Sequence, residues 1–487
     1  MNSGGTEFTS AYAGRRSPWS LSLGRPRAAL MLAPAMACLI AAQIWAGLSL
    51  RGLYADGAFY AARLWLGHGF FIMEPARFTA QFLVQIPVVL GLHLGASSPL
   101  AVATAFSLAT NLMPLLLLGG TALALPRAAR AWALVPVLVF LCFGMAASIA
   151  SIGDGNTAAA YAWMLLLLLL FGGSGRGTRL LILLLALGAL RLYEAMAFLG
   201  PLLLLAAMWR HQQVKASKRD AARPLRLTLR VAILLLIAGS LISLHDLAFP
   251  RLPGNRASLL ADLLSCRWLW AGHEANALGW LGLLGLLCLP VIWLEGRARA
   301  WGWGIMLVAF ALATACALWL PLAPAASFAA RSNFCLASAP AMLAVLLARS
   351  WRIPAAEAAA ILPLASLLAL SLSLADLGAT QAWLGYQGAM RSVLQEEHGI
   401  IPWAEALHDL PSGKARKAFE EYSWPWSTPL MSLWFTPQGG LTSLVANTPG
   451  SGWEPFPPAI LRPLLSPAAP PAPTRADALR DAFPLAR

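Results

Sequence analysis

Between Arg51 and Arg77 the chain reads RGLYADGAFYAARLWLGHGFFIMEPAR. This stretch sets Asp56, Arg63, His68, Glu74 and Arg77 among aromatic residues, in a protein of 487 residues of which only 11% are charged. Asp56 stands beside Gly57, so its carboxylate has an open flank from which it could take a proton from a hydroxyl as a general base. The same residue precedes a helix expected to begin near Ala58, where Asp is an ordinary N-cap; both readings stay open. Asp154, in a Gly-Asp-Gly turn, is a second candidate acid or simply a turn former, and Glu74 is a third acid. Arg51, Arg63, Arg77, Arg191 and Arg331 lie beside the ends of apolar runs. A guanidinium is a planar fork suited to phosphate, although headgroup contact or pairing with an acid accounts for single cases. Arg191 and Glu194 are one helical turn apart and can pair, or mark a site at membrane depth. Tyr54 and His68 complete the candidate binding residues.

Metal chemistry finds little in the sequence. His245-Asp246 and His273-Glu274 have no ligand-spaced partner, and the six cysteines show no metal spacing. No metal ligand is assigned, no cofactor is identified, and a divalent ion stays open. Glu396, Glu397, His398, Glu405, His408 and Asp409 read as a solvated helix face.

The frame around these residues is apolar. Hydrophobic residues make up 59% of the chain, mean hydropathy is +0.67, and continuous Leu/Ala-rich runs recur. That composition predicts an all-α polytopic membrane protein and excludes both a water-soluble fold and a transmembrane barrel of alternating strands. The net charge of +14 is spread over short loops, as the positive-inside rule expects, and does not point to nucleic acid.

About eleven transmembrane helices are expected. Residues 1–27 form a basic cytoplasmic segment and residues 28–376 the membrane domain. Its first outer loop is 51–77, and residues 78–96 form a surface helix rather than a span, because that choice puts the basic loop 126–130 inside. Leu180 to Trp209 reads as two short tilted spans with Arg191-Leu-Tyr-Glu194 at their outer tip. Later spans fall near 231–248, 276–294, 304–322, 334–348 and 355–376. Nineteen Lys/Arg then lie in the N-terminal segment and inner loops, against eight in outer loops. This orientation leaves the N-terminus in the cytoplasm and the C-terminus in the periplasm of a bacterial inner membrane. Residues 377–454 are expected to form a small external domain of mixed structure, and 455–487 a Pro-rich tail. In an oxidising compartment a Cys266–Cys335 disulfide is permitted.

With Tyr54-Ala-Asp56-Gly-Ala-Phe-Tyr60 in the first outer loop, Arg77 opening a surface helix and Asp154 as a second outer acid, the layout of residues 28–210 resembles the GT-C superfamily of integral-membrane glycosyltransferases. Aminoarabinose transferases and protein mannosyltransferases belong to it. The acidic pair that many members carry at the first position is absent here. The resemblance implies an inverting enzyme that moves a sugar from a polyprenyl-phosphate donor to a glycan, lipid or protein acceptor on the periplasmic side. It implies Asp56 at the catalytic centre; with it, Asp154 and Glu74 are read as catalytic residues that position the acceptor, and Arg63, Arg77, Arg191, Glu194, Arg331, Tyr54 and His68 as binding residues. Two other classes remain open. One is a polysaccharide polymerase or ligase of the O-antigen type, relying on residues 249–275; the other is a multi-span transporter of a lipid-linked or anionic substrate.

Overall fold

The computed structural model describes residues 25–95, 98–145, 153–216, 223–249, 301, 304, 333–351, 362–396, 399–411, 413–424, 427–435 and 443–446. These are mostly helical, as apolar runs must be where no water can satisfy the backbone. The bundle consists of α1 (Arg25–Leu48), α2 (Gly57–Gly67), α3 (Phe78–His93), α4 (Pro99–Ala124), α5 (Leu134–Val139), α6 (Asp154–Phe171), α7 (Arg176–Gly188), α8 (Met196–Ala216), α9 (Arg223–Ala248), α10 (Asn333–Ser350) and α11 (Leu362–Glu396). Among the described residues, seven stretches are long and apolar enough to cross a membrane: 75–93, 99–124, 127–144, 154–171, 223–248, 333–350 and 365–395. The spans expected at 276–294 and 304–322 fall almost wholly outside the described residues, as do Cys266, the basic N-terminus and the Pro-rich tail.

Helix α6 is the axis. Every residue from Asp154 to Leu170 is buried, as the Leu-rich run of a central helix requires. Its two ends therefore label the two ends of the bundle. At the Phe171 end, Trp132 stacks on Phe171 at 5.4 Å and the Arg349 guanidinium lies over the same ring. From α8, Arg210 donates to the carbonyls of Leu168 at 2.7 Å, Leu169 at 2.8 Å, Gly172 and Gly173. These carbonyls belong to the last turn of α6 and the two residues after it, and a cation there complements the negative end of the helix dipole. The basic stretch after α4 thus shares the Phe171 end with Arg210.

Helix α3 stays at the other end. It begins against the end of α7, where Thr79 donates to the Gly188 carbonyl at 2.7 Å. Farther along, Val88, Val89 and Leu92 join one apolar cluster with Val102, Ala103 and Phe106 of α4. Phe106 in turn stacks on Tyr60, and Gly153 abuts Thr110, so this part of α4 is level with the start of α6. Helix α3 is also among the stretches long and apolar enough to cross a membrane. Between α7 and α8 the chain turns at residues 189–195, and α9 returns antiparallel to α8 with Ser243 donating to the Tyr193 carbonyl at 3.4 Å.

The last long helix departs from expectation. The change in composition after Asp376 predicts a boundary there, yet α11 continues through it to Glu396. Aromatic residues on this extension bury against the loop after α1. Beyond α11, β1 (Gly399–Pro402), α12 (Trp403–Asp409), α13 (Lys414–Tyr422), α14 (Thr428–Phe435) and β2 (Ser443–Ala446) follow, with β1 and β2 paired in parallel. They share an apolar cluster with Tyr54, Tyr60 and Trp65, so they lie at the Asp154 end.

Candidate active site

The loop after α1 is held rigidly before any site residue is considered. Arg51 is 2% exposed and Asp376 is fully buried. Their ion pair spans 2.5 Å, Thr380 accepts from Arg51 at 2.7 Å, and Gln43 donates to the second Asp376 oxygen at 2.8 Å. Arg51 is thus a clamp between the loop and α11, not the free anion receptor that its place in the sequence suggested. Trp383 and Gln387 add indole and amide bonds to the Ser49 carbonyl, each 2.8 Å. The Tyr54 ring meets Trp383, Tyr422 and Trp424 edge-on at 5.9–6.1 Å. This candidate binding residue is a buried anchor, because an aromatic so enclosed gains more from packing than it could from a ligand.

Backbone strain then aims Asp56. Ala55 has φ +53° and Leu50 φ +59°, a region that costs L-residues about 1–2 kcal/mol each. A Cβ at Gly57 would lie 1.8 Å from the Gly52 carbonyl oxygen, so only glycine can begin α2 at this approach. Asp56 occupies the N-cap position of α2, but its side chain makes no capping hydrogen bond. From α14, Trp434 donates to the Ala58 carbonyl at 3.1 Å, tying the first turn of α2 to the C-terminal elements.

The polar groups converge around Tyr60, one helical turn after Asp56. Gln81, from the first turn of α3, donates to the Tyr60 hydroxyl at 2.7 Å and to Asp154 at 3.2 Å. Burial, with the charges of Asp154, Asp56 and Glu74, pushes the Tyr60 hydroxyl well above its ordinary range, while Arg77 acts against them. Tyr60 therefore keeps its proton throughout the range in which proteins work. Arg77 holds Glu194 through Nε at 2.8 and 3.1 Å, with its guanidinium 5.0 Å over the Tyr193 ring. Arg63 is partly exposed and lies 5.3 Å over both Phe59 and Phe71; burial draws it below the usual guanidinium range. Gln85 fixes the Phe71 backbone with two hydrogen bonds of 2.6 and 2.9 Å.

Asp56, Glu74, Arg77, Asp154 and Glu194 are thus brought together, with Arg63 on the same short helix as Tyr60. Glu194 pairs with Arg77 across the fold rather than with Arg191, its neighbour in sequence, and Arg191 is exposed. His68 is an exposed residue ending α2 at φ +48°, and no described contact draws it toward the acids. Arg331 lies outside the described residues. Sequence reasoning passed over Tyr60, whose signal was its position four after Asp56, and Gln81, a polar residue inside an apolar helix.

The arrangement offers three partly exposed carboxylates, one buried acid and two arginines at one end of an apolar bundle. It can accept a proton and bind an anion within a short distance. Among the described residues no group of three or more His, Cys, Asp or Glu could hold a metal ion, and Cys335 is a free thiol 3.2 Å from the Gly155 carbonyl. The chain matches no known protein family, no curated protein and no solved structure.

Proposed function

We propose that this protein is a membrane glycosyltransferase that takes a sugar from a polyprenyl-phosphate donor and passes it to a hydroxyl acceptor on the periplasmic side. The observation that carries the reading is the gathering of Asp56, Glu74, Arg77 and Asp154 around Tyr60, at one end of a bundle whose outer surface is apolar. A lipid-linked phosphosugar has this same division: its chain belongs in the bilayer and its head in a polar site at the membrane edge. Asp56 takes the proton of the acceptor hydroxyl. The oxygen attacks the anomeric carbon, the carbon–oxygen bond to phosphate breaks, and the polyprenyl phosphate leaves with both bonding electrons. Its charge is met by Arg63 and by the Arg77 nitrogens not used by Glu194. Attack opposite to the leaving group inverts the anomeric centre.

The test is Asp56→Asn in proteoliposomes supplied with sugar-labelled polyprenyl phosphates. Asn keeps the size and caps a helix nearly as well as Asp, so melting temperature should hold. Transfer should fall by roughly 10²–10⁴-fold, as loss of a general base does. Normal turnover by this variant would remove Asp56 from the reaction.

A further inference from the structure

Gln81 is 1% exposed, and its side-chain amide nitrogen spends one hydrogen on Asp154 and the other on the Tyr60 hydroxyl. While Asp154 is ionised it can only accept, and it then turns the nitrogen of the Gln81 amide toward itself and the oxygen away. That oxygen, Oε1, is buried and has no hydrogen-bond partner among the described residues. Tyr60 accepts from Gln81, and its own proton has no acceptor among the described residues. The site therefore holds one unspent acceptor and one unspent donor, on two side chains joined by a 2.7 Å hydrogen bond. Leaving a buried acceptor unmade is costly, and such a group in a native structure is a place where a polar group of a ligand or an ordered water can bind.

The chemistry of that partner is narrow. A phosphate offers acceptors alone and would face Asp154, Asp56 and Glu74, whose charges all reach Tyr60. A cation has no lone pair for the Tyr60 proton. An alcohol oxygen donates once and accepts once or twice, and so satisfies both groups together. We infer that Tyr60 and Gln81 form a subsite for a neutral hydroxyl of the ligand, with Asp154 holding the Gln81 amide in its orientation. In the transferase reading, on which the choice of probe rests, this is a ring hydroxyl of the transferred sugar, and it separates the sugar from the arginines that meet the phosphate.

Binding without turnover tests it. Wild-type protein in nanodiscs would be titrated with citronellyl phosphate and with the citronellyl phosphates of glucose, mannose and arabinose. At least one sugar-bearing lipid should bind about tenfold more tightly than citronellyl phosphate, the scale of a hydrogen bond made to an otherwise unsatisfied buried group. Tyr60→Phe keeps the ring that stacks on Phe106 but loses the donor. It should erase that preference and leave the affinity for citronellyl phosphate unchanged. Arg63→Ala should weaken every phosphate-bearing lipid alike. A wild type without preference, a Tyr60→Phe variant that keeps the preference, or one that loses both affinities together would each overturn the subsite. The outcome is separable from the transferase reading. A protein that prefers the sugar-bearing lipid yet transfers nothing retains the subsite and loses the enzyme, and transfer without preference does the reverse.

Discussion

Arg77 shows how a single side chain can be assigned two tasks. Its Nε is committed to Glu194, while the aromatic face of Tyr193 supports the plane of the guanidinium. The pair is only 26% and 17% exposed, so screening by water is limited, and a coupling of about 1–2 kcal/mol is expected from a double-mutant cycle of Arg77→Ala and Glu194→Ala. Arg77→Lys should not restore transfer, because a point charge cannot reproduce a fork held on one side and open on the other. Recovery of full activity in the Lys variant would argue that only the charge counts. Asp56 stands at the N-cap of α2 without a capping hydrogen bond, so its carboxylate is not committed to the helix start.

At the scale of elements, the question is what keeps the loop after α1 in one shape. Arg51 and Asp376 join it to α11 in a site without solvent. Removing one member, as in Arg51→Met, strands a buried charge and should cost about 3–5 kcal/mol, whereas Arg51→Met with Asp376→Leu should recover most of that loss. Unfolding in mixed detergent micelles would measure both; a double variant as unstable as the single one would show that packing, not charge, is the binding term. Gly57→Ala addresses the same loop from the backbone. With a Cβ so close to the Gly52 carbonyl, the start of α2 must shift, and transfer should drop sharply while the Phe171 end of α6, held by Arg210 of α8, keeps the bundle folded. The helix dichroism of the purified variant would check the second half of that expectation.

For the whole molecule, the two ends of α6 sort the rest of the chain. Arg210, Arg349 and Trp132 gather at the Phe171 end, and α2, α3 and the elements from β1 to β2 gather at the Asp154 end. Single cysteines at the exposed positions His68, Lys414 and Lys215 test this arrangement in intact cells. An impermeant thiol reagent should modify the first two and spare the third. Labelling of Lys215→Cys alone would invert the orientation while preserving the sorting, and labelling of all three would break both.

Hydropathy alone was enough to predict a largely helical chain with helices long and apolar enough to cross a membrane, because a run of apolar residues has no other way to satisfy its backbone in lipid. The stretch around Asp56 was legible as well, since charge is scarce and its concentration there stands out. Three things were decided only in three dimensions. Residues 78–93 have the length and composition of a span, and only the folded chain shows that they pack on α4 and the end of α7. The partner of Glu194 is Arg77, far away in sequence, because a turn between two helices points it across the fold. Asp376 looked like the end of a helix from composition and is instead the buried counter-charge to Arg51. In each case the local signal is the same for either outcome. The free energy that separates them comes from burial and pairing between different segments, 117 residues apart for Arg77 and Glu194 and 325 for Arg51 and Asp376, which no local window along the chain contains.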